Sequence, residues 1–169
     1  VGSPGIIAVA DAVAKDIEGI DAERAWAAIY TSAMKDMRGG KYRKEYGYMP
    51  NDLQGESIAH DMEFAIADAA AATVAEKLGK EEAAYLENRS HSWLNYFDPT
   101  VGYPRGKSST GVWREDFNPF NASRINNEYC EGNAWQYTWL VPQDVKGLVG
   151  CFGSKEETVE KLDSLFAVS

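Results

Sequence analysis

The chain has 169 residues, 44% hydrophobic and 25% charged, with a formal net charge of −9. That balance fits a globular domain and not a disordered chain, and its acidity argues against nucleic acid and anionic membranes as partners, since both are held by basic surfaces. No apolar run approaches the roughly 20 residues that span a bilayer, no secretory leader is visible at Val1-Gly2-Ser3-Pro4, and the missing initiator methionine implies processing or excision from something longer.

Residues 6–20 read as a helix in which Ile6, Ile7, Val9, Ala10, Val13, Ala14 and Ile17 make a wide apolar stripe. Gly19 ends it. Asp21 opens a second helix as N-cap, without a full capping box because Arg24 stands where Glu would complete one. This helix carries Ala25, Trp26, Ala28, Ile29, Ala33 and Met34, and Gly39-Gly40 stops it after Met37.

Residues 41–56 look irregular and hold Tyr42, Tyr46, Tyr48 and Pro50, as expected of a loop resting against a site. Ser57 is expected to cap a long helix reaching Leu78, with Met62, Ala65, Ile66, Ala69 and Ala72 on one face and Gly79 as its stop. Another helix is expected over 80–96, burying Ala83, Tyr85, Leu86, Trp93 and Leu94, with Asp98-Pro99 ending it.

Residues 98–129 have little helical period and cluster Pro99, Gly102, Pro104 and Gly106 around Arg105. A loop of roughly thirty residues in a compact domain signals function or disorder. Helices then follow near 132–140, from Pro142 to near 149 with Asp144 as a cap, and after Ser154, the last turning Val159, Leu162, Leu165 and Phe166 inward. No strand alternation is convincing. The fold class is all-α, and consecutive helix pairs with short turns suit either an α/α toroid or a helical bundle.

The long loop leads into residues 126–139, which concentrate chemistry. Glu128 and Glu131 lie three apart beside Asn and Gln amides, with Tyr129, Trp135, Tyr137 and Trp139 close by. Carboxylates and amides bind hydroxyls, and aromatic faces cover the C–H face of a sugar. The competing reading is an amphipathic helix start with an aromatic core stripe, and on spacing alone that reading ranks first. Cys130 and Cys151 form no disulfide framework, and with two histidines a zinc site is not expected. Cys130 has no His nearby in sequence to activate it and reads as a small buried residue. Asn88-Arg89-Ser90 and Asn121-Ala122-Ser123 match the glycosylation sequon, a motif short enough to arise by chance.

Glu131-Gly132-Asn133-Ala134-Trp135-Gln136-Tyr137-Thr138-Trp139 resembles a signature of glycoside hydrolase family ninety-two, the calcium-dependent exo-acting α-mannosidases. Gly47-Tyr48-Met49-Pro50 with Gly55-Glu56-Ser57, the run from Phe97 to the Arg105-Gly106 pair, and Val141-Pro142-Gln143-Asp144-Val145 resemble other segments of that family in the same order. The resemblance implies an (α/α)6 barrel, of which this chain is about half. It implies inverting hydrolysis of terminal α-linked mannose in glycans, a secreted, periplasmic or cell-surface location, and a role in N-glycan degradation.

Glu131 aligns with the general acid, which Tyr129, Trp135 and Tyr137 would shield from water. Glu56, Arg105, Glu128, Asn133, Trp135 and Gln136 are candidates for substrate binding. Arg105 reads equally as a surface ion pair, Glu128 as the partner of Arg124 or of a hydroxyl, and Trp135 as core. The general base and the calcium ligands are expected C-terminal to residue 169, in the rest of the catalytic domain. In the family, Thr is commoner at the position of Cys130 and His at that of Gln143. The alternatives are a non-catalytic helical carbohydrate-binding or scaffold protein, and an α/α-toroid glycosidase acting on another sugar.

Overall fold

A computed structural model describes residues 2–122 and 127–167. Asn126 of the motif, Arg124 as the partner considered for Glu128, and Ser123 of the second sequon lie outside the described residues. The architecture is all-α. Helices α1 (Pro4–Ala14), α2 (Ala22–Ala33), α3 (Gly40–Tyr46), α4 (Ser57–Lys77) and α5 (Ala83–Ser90) are followed by a 3-10 turn at Ser92–Asn95. Strands β1 (Phe97–Asp98) and β2 (Tyr103–Pro104) pair antiparallel, and α6 (Ala134–Tyr137), α7 (Val145–Phe152) and α8 (Lys155–Ala167) complete the chain. Among the described residues no helix is long and apolar enough to cross a membrane.

The chain is organised around α4, which packs against α1, α2, α5 and the 3-10 turn. Its 21 residues are rich in alanine, which lets neighbouring helices approach closely. Buried residues lie all round it and not on the single face expected, because it is flanked by two apolar clusters. Ala67, Ala71, Ala72, Val74 and Ala75 of its second half meet Ile6, Ala10, Val13, Trp26, Ile29 and Leu86. Ile58 and Met62 of its first half meet Tyr48, Trp93, Tyr96, Tyr129, Val141 and Leu148.

A polar cluster of buried side chains joins the helices near these two groups. Asp61 and Asp68 of α4 are 0% and 2% exposed. Arg43 of α3 donates from Nε to Asp61 Oδ1 at 2.5 Å and from Nη1 to Asp68 Oδ2 at 2.7 Å. Arg89 of α5 bonds both Asp68 oxygens, and Ser92 Oγ and the Tyr96 hydroxyl each donate to Asp61 at 2.7 Å. Two guanidinium and two carboxylate groups cancel in charge and satisfy one another, the condition under which buried ions are tolerated. Burial works to lower the Arg43 pKa, but Asp61 and Asp68 together outweigh it and hold the pKa above its ordinary value.

This cluster explains two departures from the expected elements. Residues 40–46 form helix α3 where a loop was expected, because Arg43 locks that short segment to α4. The helix expected over 80–96 breaks after Ser90, where Arg43 Nη2 takes the Arg89 carbonyl and Ser92 Oγ. Tyr85 and Leu94 are consequently 43% and 46% exposed, while Leu86 and Trp93 are buried as expected.

Helix ends follow local rules in several places. Asp21 Oδ1 accepts the Arg24 N–H at 3.0 Å. Helix α1 stops short of Gly19, since Asp16 takes a left-handed φ of 52° and the Ile17 N–H turns back to the Ala12 carbonyl at 3.1 Å. Gly79 does the same for α4, as expected. Asp144 accepts the Gly147 N–H, so α7 starts after it and not at Pro142. Ser154 caps α8, accepting the Glu157 N–H. The residues expected inward on α8 are not: Val159 is 55% and Phe166 81% exposed, and no residue of α8 is buried in this chain.

Candidate active site

Helix α4 begins one residue earlier in its duties than expected. Ser57 is its first helical residue and the N-cap is Glu56, in the left-handed region at φ +52°. No side chain caps this end. The Asn127 and Glu128 carbonyls do so instead, accepting the Glu56 N–H at 3.2 Å and the Ala59 N–H at 3.0 Å. The stretch before the motif is thereby docked on the helix start, and a cleft of about 680 Å³ opens there. Asn51, Glu56, His60, Arg114, Asn127 and Glu128 line it.

Glu128 is the buried acid of this cleft, 6% exposed. Its Oε1 accepts Asn51 Nδ2 at 3.0 Å and Arg114 Nη1 at 2.6 Å. Gly106 sits against it so closely that a Cβ there would fall 2.6 Å from Oε1. His60 stands one helical turn after Glu56, its Nε2 3.8 Å from Glu56 Oε2, and its buried Nδ1 has no hydrogen-bond partner among the described residues. Burial lowers the His60 pKa, against the opposing pull of Glu56.

Glu131 also has a left-handed backbone, φ +52°. Non-glycine residues adopt this region at a cost of roughly 1 kcal/mol or more, and such strain gathers at functional sites. Cys130, next to Glu131 in the chain, feels the carboxylates of both Glu56 and Glu131. Its thiol pKa is pushed up by burial, then by these two nearby carboxylates. Glu131 itself is exposed in this chain. The three rings expected to shield it have other partners: Tyr129 donates to the Pro104 carbonyl, Tyr137 OH donates to the Cys130 carbonyl at 2.9 Å, and Trp135 packs on Tyr103 and Phe120 at 5.5 and 5.0 Å.

The other candidates divide. Asn133 and Gln136 form a reciprocal capping box for α6, with Gln136 N to Asn133 Oδ1 at 3.0 Å and Asn133 N to Gln136 Oε1 at 3.2 Å. Arg105 does not line the cleft. It pairs with buried Asp98 at 2.9 Å and donates from Nε to the Arg114 carbonyl at 2.7 Å. Burial pushes Asp98 up, but Thr100 and the Arg105 guanidinium outweigh it and hold the carboxyl below its ordinary value. Asn51, His60 and Arg114 were not legible as site residues. The only cues were the position of Asn51 after Pro50 and the four-residue spacing of Glu56 and His60.

Over residues 1–169 the sequence matches the family described as Glycosyl hydrolase family 92 catalytic domain. The chain belongs to glycosyl hydrolase family 92.

Solved family 92 structures agree with this. The chain superposes on the GH92 alpha-mannosidase BT3965 from Bacteroides thetaiotaomicron with a TM-score of 0.92 and 38% identity, over 100% of this chain and 23% of that one. The same enzyme in complex with mannoimidazole gives 0.92 and 37% over 99% and 23%. The GH92 inverting mannosidase BT2199 from the same organism gives 0.90 and 29% over 97% and 23%. The chain therefore spans about a quarter of the length of these relatives. No curated protein matches the sequence. Among the described residues no group of three or more His, Cys, Asp or Glu side chains is placed to hold a metal ion.

Proposed function

We propose that the full-length protein is an exo-acting α-mannosidase that hydrolyses terminal α-linked mannose of glycans with inversion, and that this chain supplies its general acid, Glu131. The observation that carries the reading is the match of nearly all of this chain to part of family 92 mannosidases, one of them described as inverting, together with a left-handed Glu131 three residues after Glu128, which lines a cleft.

In this reading the protonated Glu131 carboxyl gives its proton to the leaving glycosidic oxygen as the C1–O bond breaks. Water adds to C1 from the opposite face and loses its proton to a general base. An inverting pair of carboxyls stands roughly 6.5–9.5 Å apart to admit that water. The base comes from a segment beyond residue 169, and other parts of the catalytic domain close an (α/α)6 toroid and cover Glu131. Glu56 and Glu128 bind ring hydroxyls in the cleft, and Trp135 supports the motif through its ring contacts. Calcium belongs to the proposal for the complete enzyme, with ligands outside the described residues. A secreted, periplasmic or cell-surface location and N-glycan substrates complete it.

The test is mannose release from a mannobiose by the full-length enzyme. Glu131→Gln is expected to lower kcat by about 10²–10⁴. Near-normal turnover of this variant would remove Glu131 from the acid role.

A further inference from the structure

The loop that carries Gly106 and Arg114 does more than connect elements. The Arg114 N–H donates to the Gly106 carbonyl at 2.8 Å, and the Asn51 N–H donates to the Lys107 carbonyl at 3.0 Å. The Arg114 carbonyl receives Arg105 Nε, and Arg105 is tied to buried Asp98. Two side chains held by this framework, Asn51 and Arg114, converge on a single oxygen of Glu128. Among the described residues nothing donates to its second oxygen, Oε2, although Glu128 lines the cleft.

We propose that Asn51 and Arg114 are positioning residues that fix Glu128 through Oε1, so that Oε2 receives a ring hydroxyl of the bound sugar. The proposal rests on the mannosidase reading above. A carboxylate accepts but does not donate, and a sugar hydroxyl supplies the missing donor. Glu128 is already ordered by a charge-assisted bond and an amide bond, so it loses little side-chain freedom on binding. Gly106 leaves the space in which three groups meet: a Cβ there would fall 2.6 Å from Glu128 Oε1 and 2.9 Å from Asn51 Nδ2. Arg105 thus acts on the site at one remove, through the Arg114 backbone.

The experiment uses the full-length enzyme and mannobiose hydrolysis, with thermal midpoints as the folding control. Asn51→Ala and Arg114→Met should each raise KM by about tenfold or more, with a smaller change in kcat. Arg114→Lys should recover part of the loss. The double variant Asn51→Ala with Glu128→Gln should be no worse than Glu128→Gln alone, since Asn51 acts only through Glu128. Additive losses in the double variant, or an unchanged KM in Asn51→Ala, would overturn the positioning role while leaving the mannosidase reading intact. A wild-type enzyme that releases no mannose would sink both. If Arg114→Met fails to fold, Asn51→Ala and Arg114→Lys decide the matter.

Discussion

Arg43 Nη1 lies 2.7 Å from Asp68 Oδ2, with the two side chains only 3% and 2% exposed. The pair is part of a cluster that welds α3, α4 and α5 into one body. Removing one member leaves the others charged and dry. Arg43→Met should destabilise the fold by about 3–5 kcal/mol, because Asp61 and Asp68 would each lose a buried counter-charge. Urea unfolding of the variant beside wild type measures this, and a loss below about 1 kcal/mol would show that the cluster is relaxed by water.

Gly106→Ala should disturb the cleft without a large effect on folding. The added methyl must displace Glu128 or Asn51, since it would come 2.6 Å from one and 2.9 Å from the other. A misplacement of this order is expected to lower kcat/KM by about 10- to 100-fold. Steady-state kinetics on the full-length enzyme, with a melting curve beside it, checks the split.

His60 gives a pH signature. Its folded pKa lies below the ordinary value of 6.5, chiefly through burial, and Glu56 and Arg38 are the described charges that act on it. The folded state therefore prefers the neutral ring, while the unfolded chain takes up a proton near pH 6.5. The contribution is complete above that pH and is lost as pH falls from 6.5 toward the folded value. His60→Gln should flatten this part of the stability profile, measured by urea midpoints at a series of pH values. An unchanged slope would exclude His60 as its source.

Lys161 holds α8 in an unusual way. Its Nζ sits 3.7 Å from the centre of the Tyr103 ring and 5.4 Å from that of Phe152, in a helix with no buried residue. Lys161→Gln should cost about 1–2 kcal/mol and speed amide exchange along α8. Exchange that rises uniformly over the whole chain would point to general destabilisation instead.

What the sequence could convey was whatever depends on neighbours in the chain. Asp21, Gly79 and Ser154 mark helix ends because capping is a matter of three or four residues, and the alanine-rich run of α4 announces its helix. The buried cluster was hidden, since Arg43, Asp61, Asp68 and Arg89 meet only in space and each alone looks like a surface charge. The same holds for Asn51 and Arg114 around Glu128, which are 77 and 14 residues from it in sequence. Asn133 and Gln136 look like sugar ligands in the sequence, and the fold gives them a capping role at α6 that the three-residue spacing also permits. The apolar residues of α8 carry a helical period that reads as a buried face, yet Val159, Leu162 and Phe166 are exposed, because a period shows which residues share a face and not what covers it.

The backbone carbonyls of Asn127 and Glu128 terminate α4, a rod of 21 residues, roughly 30 Å long. A displacement of the Glu128 backbone would therefore also remove hydrogen-bond acceptors from that rod's leading turn. If Glu128 receives a sugar hydroxyl as proposed, the residue that meets the ligand also supplies, through its own carbonyl, an acceptor for the first turn of the longest helix.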